Sequence, residues 1–209
     1  MPSSTFFNLP ETKRRKLLQA AEAEFRRVPL ANASINRIIK DAGISRGSFY
    51  MYFEDKTELF QYLCQQQCQQ VNDETIRLFT ACGGDLFDGF LRLFDLLGPA
   101  PDDMSRPEWL SDIYTYFKNN GSISSLSAFG LKRSEHLQQM YALLPCLDRT
   151  QLCVTDEETV AIIELLFSNC IWLIGQCHVG LLEPEEARAH YVRTLELLRR
   201  TFCRPAQAS

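Results

Sequence analysis

The chain has 209 residues, 45% apolar and 23% charged, which suits one or two globular domains with a core large enough to stand without disulfide staples. No basic stretch leads into an apolar run at the start. The eight cysteines (64, 68, 82, 146, 153, 170, 177 and 203) show no close repeated pairing, so reduced thiols in a cytoplasmic protein are expected rather than a secreted disulfide framework. The net charge of −4 hides a division. Residues 1–53 hold nine Lys/Arg against four Asp/Glu, and residues 54–209 hold thirteen against twenty-two, so a basic head of +5 is joined to an acidic body of −9. A basic head on an acidic body points to a polyanionic partner for the head alone.

Helical periodicity runs through the chain and no alternating strand pattern appears, which predicts an all-α protein. Asn8 with Glu11 three residues on has the form of a capping box, and Pro10 suits a first turn. A first helix is therefore expected from about Asn8, with Leu18, Ala21, Phe25 and Val28 on one face and Pro29 ending it. Ser34 is placed to cap a second helix bearing Ile35, Ile38, Ile39 and Ala42, and Gly43 to close it in the left-handed conformation. Ser45 is placed to cap a third, short helix reaching about Tyr52, and the Asp55/Glu58 pair to open a long helix to about Thr80. After the Gly83–Gly84 break, LFDGFLRLFDLL (86–97) reads as an amphipathic helix and GPAPDDMSRP (98–107) as a loop. Further helices are expected at 108–119, 123–144, 156–180 and 184–203, the last opened by Pro184 with Glu185 and Glu186.

Two short helices around a glycine turn, at 34–52, make a helix-turn-helix candidate, in which the second helix enters the DNA major groove. Ile38, Ala42, Ile44, Phe49 and Tyr52 would form the hidden faces, and Ser45, Arg46, Gly47, Ser48, Tyr50 and Met51 the exposed one. Arg46 can pair bidentately with guanine or clamp a phosphate. Gly47 weakens a helix, and close approach of DNA to the backbone would account for it. Tyr50 and Tyr52 can offer hydroxyls to phosphates while their rings pack. Lys56 sits in the first turn of its helix, the unfavourable end for a cation, where a phosphate would account for it.

The stretch ASINRIIKDAGISRGSFYMYFEDKTELF (33–60) resembles the DNA-binding segment of TetR/AcrR-family transcriptional regulators. The features that match are Ser34, Ala42–Gly43, Arg46–Gly47, Tyr50, Phe53 and Lys56. Tyr52 stands where the family commonly has histidine, and Pro29–Leu30 replace a common glycine before the second helix. The resemblance implies an N-terminal helix-turn-helix DNA-binding domain (1–54) on a larger helical domain (55–209) that binds a small-molecule effector and dimerises through its last two long helices. It places phosphate contacts on Ser34, Tyr50, Tyr52 and Lys56 and groove contacts on Arg46, Gly47, Ser48 and Met51, with Ser45 also among the DNA-binding residues. The implied partners are double-stranded DNA, a second copy of the chain and an unidentified effector, with no membrane, no cofactor and no metal. The implied function is a repressor released from a palindromic operator.

In the body, TVAIIELLFSNCIWLIGQCHVGLL (159–182) is apolar on nearly every face. Glu164, Asn169, Gln176 and His178 oppose a membrane span, and a dimer partner would supply a second apolar wall. Tyr191, Leu195 and Leu198, with Val192 and Phe202 beside them, form a stripe suited either to that interface or to intrachain core. Pocket candidates, equally readable as core, are Phe87, Phe90, Phe94, Trp109, Ile113, Tyr114, Phe117, Phe129, Met140, Tyr141 and Trp172. Cys64 and Cys68 share a helix face, and Cys170, Cys177 and His178 cluster, so the alternative is a cysteine-based redox or metal-sensing regulator. No Ser/His/Asp, nucleotide-loop or paired-carboxylate motif indicates an enzyme.

Overall fold

The computed structural model describes residues 2–99 and 133–203, and the regular elements among these residues are helices. Described β-structure is limited to one isolated antiparallel bridge between Leu152 and Cys203. In chain order the α-helices are α1 (Ser4–Phe7), α2 (Glu11–Arg27), α3 (Ile35–Ala42), α4 (Arg46–Tyr52), α5 (Lys56–Ala81), α6 (Leu86–Leu97), α7 (Arg133–Leu143), α8 (Asp156–His178) and α9 (Pro184–Phe202). The described residues divide into two units, one ending at Gln69 and the other beginning at Gln70. The expected loop at 98–107 and helix at 108–119 lie almost wholly outside the described residues, as does the first part of the 123–144 helix.

In the first unit, α2 packs on α3, α3 on α4, and α1 on α4. The core is aromatic: Phe6, Phe25, Phe49 and Phe53 are buried, joined by Leu17, Ala21, Ile38, Leu59 and Leu63. Phe6 lies 4.8 Å from Phe53 and 5.3 Å from Tyr62, and Phe25 meets Phe60 edge to face at 5.1 Å. Edge-to-face rings let many aromatics share a small core without opposing their negative faces.

The chain's beginning differs from expectation. Asn8 caps no helix; it ends α1, and α2 starts at Glu11 behind Pro10 with no side-chain cap. The cap belongs to Ser3, whose Oγ accepts the Phe6 N–H. Because α1 must bury Phe6, the capping signal falls five residues earlier than the Asn8/Glu11 pattern suggests. Leu17 is fully buried on the core face of α2, and Leu18 packs half-buried against the same core.

In the second unit, α9 packs on α8 and α6, α6 on α8, and α7 on α8. Helix α8 opens with a complete capping box: Thr155 Oγ1 accepts the Glu158 N–H, and Glu158 Oε2 accepts the Thr155 N–H at 2.8 Å. It is long and apolar enough to cross a membrane, with a mean hydropathy of 1.7 over its most apolar window, yet its Ile162, Ile163, Leu166, Cys170, Leu173 and Ile174 are buried against protein. Asp85 holds two elements together. Its Oδ1 accepts the Phe87 and Asp88 N–H groups to cap α6, and its carboxylate takes the Arg199 fork from the end of α9 at 2.9 and 2.7 Å. Tyr191 stacks on Phe94 at 4.7 Å and donates its hydroxyl to the Leu166 carbonyl at 3.1 Å.

Tyr191 and Leu195 are thus intrachain core, the second of the two readings open for that stripe. The apolar residues left outward are Leu165, Trp172 and Val179 on or just beyond α8, Leu181 after it, and Leu197 on α9, each more than half exposed. Trp172 therefore leaves the list of interior pocket candidates, Tyr141 is exposed, and Phe87, Phe90, Phe94 and Met140 are buried core. Trp109, Ile113, Tyr114, Phe117 and Phe129 lie outside the described residues.

Gly83 and Gly84 both have positive φ, +67° and +80°. A Cβ at Gly83 would meet nothing, whereas one at Gly84 would lie 2.8 Å from the Cys146 carbonyl oxygen and 2.9 Å from the Leu147 carbonyl carbon. Gly83→Ala should cost about 1–2 kcal/mol of left-handed strain. Gly84→Ala should cost about 1–3 kcal/mol more, because two backbone segments must part. Thermal unfolding of the two variants side by side measures the difference; equal losses would contradict the packing described at Gly84.

Candidate nucleic-acid interface

The candidate surface depends on how α3 and α4 are held. Glu24, on the last turn of α2, is 2% exposed. Its carboxylate takes the Arg27 fork at 2.9 and 2.8 Å and the Ser34 backbone N–H at 2.9 Å, with Arg37 Nε 3.6 Å away. Ser34 stands at the N-cap of α3 but makes no side-chain cap bond. Its own N–H is satisfied by Glu24 from across the 3₁₀ linker Leu30–Asn32. A buried carboxylate is tolerable only when paired and hydrogen-bonded, and at a helix N-terminus it also meets a favourable dipole. The Arg27 hydrogen bonds, ahead of burial acting the other way, hold the Glu24 carboxyl below the usual carboxylate range.

Gly43 closes α3 with φ +68° and ψ +35°. Its N–H donates to Lys40 O at 3.2 Å and the Ile44 N–H to Ile39 O at 3.0 Å, the paired bonds of a Schellman turn. Ser45 then caps α4, its Oγ accepting the Ser48 N–H at 3.0 Å. Inward lie Ile38, Ala42 and Phe49, all buried, with Ile44 and Tyr52 half-buried beside them. Outward lie Ser45, Arg46, Gly47, Tyr50 and Met51, all exposed, while Ser48 is half-buried.

Lys56 and Ser3 behave in ways the spacing did not reveal, whereas Tyr52 packs inward as its place on the hidden face predicts. Lys56 is half-buried and its ammonium donates to Ala31 O at 2.8 Å and Ala33 O at 3.0 Å, so protein carbonyls occupy two of its three donors. Tyr52 packs on the head core, its ring 6.4 Å from that of Phe6. Ser3 was not singled out in the sequence. Its Oγ donates to Met51 O at 2.6 Å and its N–H to Tyr52 O at 3.0 Å, satisfying carbonyls that the end of α4 would otherwise leave open. The signal for it was present in Ser3 preceding a Phe–Phe pair, which reads as a cap followed by an apolar anchor.

The thiols are placed poorly for sensing. Burial pushes Cys64 up to about 12 and Cys68 up to about 11, and raises Cys170 as well. The thiolate is the reactive and metal-binding form, so these three are suppressed as nucleophiles at neutral pH. Among the described residues no group of three or more His, Cys, Asp or Glu is placed to hold a metal ion.

Residues 17–63 match the family described as Bacterial regulatory proteins, tetR family. Among solved structures, SmeT, the repressor of the Stenotrophomonas maltophilia multidrug efflux pump SmeDEF, is 20% identical, with 95% of this chain and 96% of that chain covered and a TM-score of 0.58. The SmeT–triclosan complex is 19% identical, with 95% of each chain covered and a TM-score of 0.60. A TetR family transcription regulator from Marinobacter aquaeolei is 21% identical, with 93% and 97% covered and a TM-score of 0.55. At these identities the likeness bears on the fold, which is the all-helical one of this family.

The Glu24 arrangement yields a pH test. A carboxyl held low in the folded state stabilises fully above its unfolded value, about 4.3, and that contribution is lost as pH falls through the folded value. Glu24→Gln should lower head stability by about 1.5–3 kcal/mol at neutral pH. The gap to wild type should shrink in acid. Denaturant unfolding followed by amide exchange in α3, at pH 7 and in acid, measures both; a gap that stayed constant with pH would show that the charge on Glu24 is not what matters.

Proposed function

We propose, from the match of residues 17–63 to the tetR family of bacterial regulatory proteins, that the chain is a homodimeric cytoplasmic repressor of that family, released from a palindromic DNA operator by a small-molecule effector. The observation that carries the DNA-binding part is the outward face of α4. Arg46, Tyr50 and Met51 project from a helix whose other side is locked into the core, and Gly47 lies between them. A Cβ at Gly47 would find its nearest neighbour 3.9 Å away, at Ser45 Oγ, so nothing among the described residues demands glycine there. A backbone approached closely by DNA would demand it. In this reading Arg46, Gly47, Ser45, Ser48 and Met51 face the groove, and Ser34, Tyr50, Tyr52 and Lys56 lie toward phosphates.

A single short helix reads few base pairs, and a dyad-related pair reads a palindrome with half-sites about 34–36 Å or more apart. The exposed Leu165, Trp172, Val179, Leu181 and Leu197 are the apolar surface a second copy would cover. Effector release is supported by two features. SmeT, similar in fold, is a repressor whose structure is known with triclosan. Gln67 on α5 has a buried side-chain oxygen with no hydrogen-bond partner among the described residues, a polar group that an effector's donor would satisfy. The effector acts by preferring one spacing of the two heads, and it can shift DNA affinity only by its difference in affinity for the two states.

A mobility-shift assay on DNA flanking the protein's own gene tests this directly. The expected result is a saturable complex that candidate effectors dissociate; specific binding unaffected by any effector would leave the release step without support. Lys56→Met should reduce the salt slope of binding by about one if its remaining donor reaches a phosphate. An unchanged slope would confine Lys56 to the Ala31 and Ala33 carbonyls. Trp172→Glu should give a monomer by light scattering with weakened operator binding, and a dimer that persisted would move the interface elsewhere.

A further inference from the structure

Arg46 is not a roaming surface arginine. Its Nη1 donates to Asn36 Oδ1 at 2.8 Å, its Nη2 to the Tyr50 hydroxyl at 3.3 Å, and its Cζ lies 5.6 Å from the centre of the Tyr50 ring. Tyr50 is one helical turn further along α4, so its contact is local. Asn36 is on α3, ten residues earlier and across the Gly43 turn, so its contact depends on the α3–α4 geometry. A guanidinium only donates, which fixes the oxygen of Asn36, not its amide nitrogen, as the partner.

We propose that Asn36 is a specificity-determining residue, holding the Arg46 guanidinium in the orientation in which it reads a base pair; the inference rests on the DNA-binding role of α4 argued above. Both partners of Arg46 are neutral. A carboxylate in the place of Asn36 would hold the arginine equally well but cancel its charge before DNA arrived. An amide and a phenol restrain it and leave the full positive charge on an exposed surface. Two of the five guanidinium N–H groups are occupied, leaving one on each terminal nitrogen and the one on Nε. One donor on each terminal nitrogen is a two-pronged edge suited to the O6 and N7 acceptors of guanine in the major groove. Holding the fork before binding removes the rotamer freedom that the contact would otherwise have to suppress, so removing Asn36 weakens reading at that base pair without touching the phosphate contacts.

The test uses the full-length protein. A pool of randomised duplexes is selected and sequenced, and the winning sequence and its single-base substitutions are then titrated with wild type, Asn36→Ala, Arg46→Ala and the double variant. Wild type is expected to prefer guanine about tenfold or more at one base pair of each half-site. Asn36→Ala should cut that preference to about threefold or less, with unchanged thermal stability and salt dependence. Arg46→Ala should abolish it, and adding Asn36→Ala to Arg46→Ala should change nothing further. A full preference retained by Asn36→Ala, or a further loss in the double variant, would overturn the proposal while leaving DNA binding intact. Wild type that enriched no sequence would overturn the DNA-reading role itself, and this inference with it.

Discussion

One buried carboxylate sets the geometry of the head. Glu24 ends α2 with its charge inside the protein, and its oxygens are taken up by Arg27 and by the first backbone N–H of the next segment, at Ser34. The linker between α2 and α3 contains Pro29 and a single 3₁₀ turn, which leaves the direction of α3 underdetermined by local structure. The carboxylate removes that freedom by fixing where α3 begins. Gly43 then fixes how α4 leaves α3, and Ser3 fixes how α4 ends. The outward face of α4 is therefore the far end of a chain of constraints that starts at one acidic residue. In the proposed function, loss of Glu24 would be felt in DNA reading although its carboxylate is buried, because it holds the Ser34 N–H at the start of α3.

Much of this was legible in the sequence because it is local. The Ala42–Gly43 turn, the Ser45 cap and the split of 44–53 into hidden and exposed positions follow from residues within one or two turns of each other. The long helices of the body were legible for the same reason: a capping box, a proline at a first turn or a double glycine each acts within a few residues. The failures share an opposite character. Ser34 has the sequence of a capping residue, but a carboxylate ten residues upstream takes its N–H. Lys56 sits at an unfavourable helix end, and the carbonyls that explain it belong to residues 31 and 33. Asn8 fits a capping box, but burial of Phe6 creates a separate short helix ahead of it. In each case a partner brought in by the fold decides the outcome, and a one-dimensional pattern does not display such partners.

The body shows a related ambiguity. A helix apolar on every side must have two apolar partners, but the sequence does not say which face meets which. Folding assigns Ile163, Leu166, Cys170 and Leu173 to intrachain packing and leaves Leu165, Trp172 and Val179 outward. The same packing carries Tyr191 inward, where it stacks on Phe94 and reaches the Leu166 carbonyl. Cys170, against that tyrosine, has its thiol protonated by burial and behaves as a small apolar group. The cysteines that suggested a redox or metal sensor are thus, at positions 64, 68 and 170, part of the packing.

In the proposed function two copies of α4, related by a dyad, read one palindrome. Hydroxyl-radical footprinting of the full-length protein on its upstream DNA measures this most directly. The predicted result is two protected patches of equal extent, symmetric about one centre and about one helical turn or more apart. A single patch without symmetry, or uniform protection along the duplex, would contradict it.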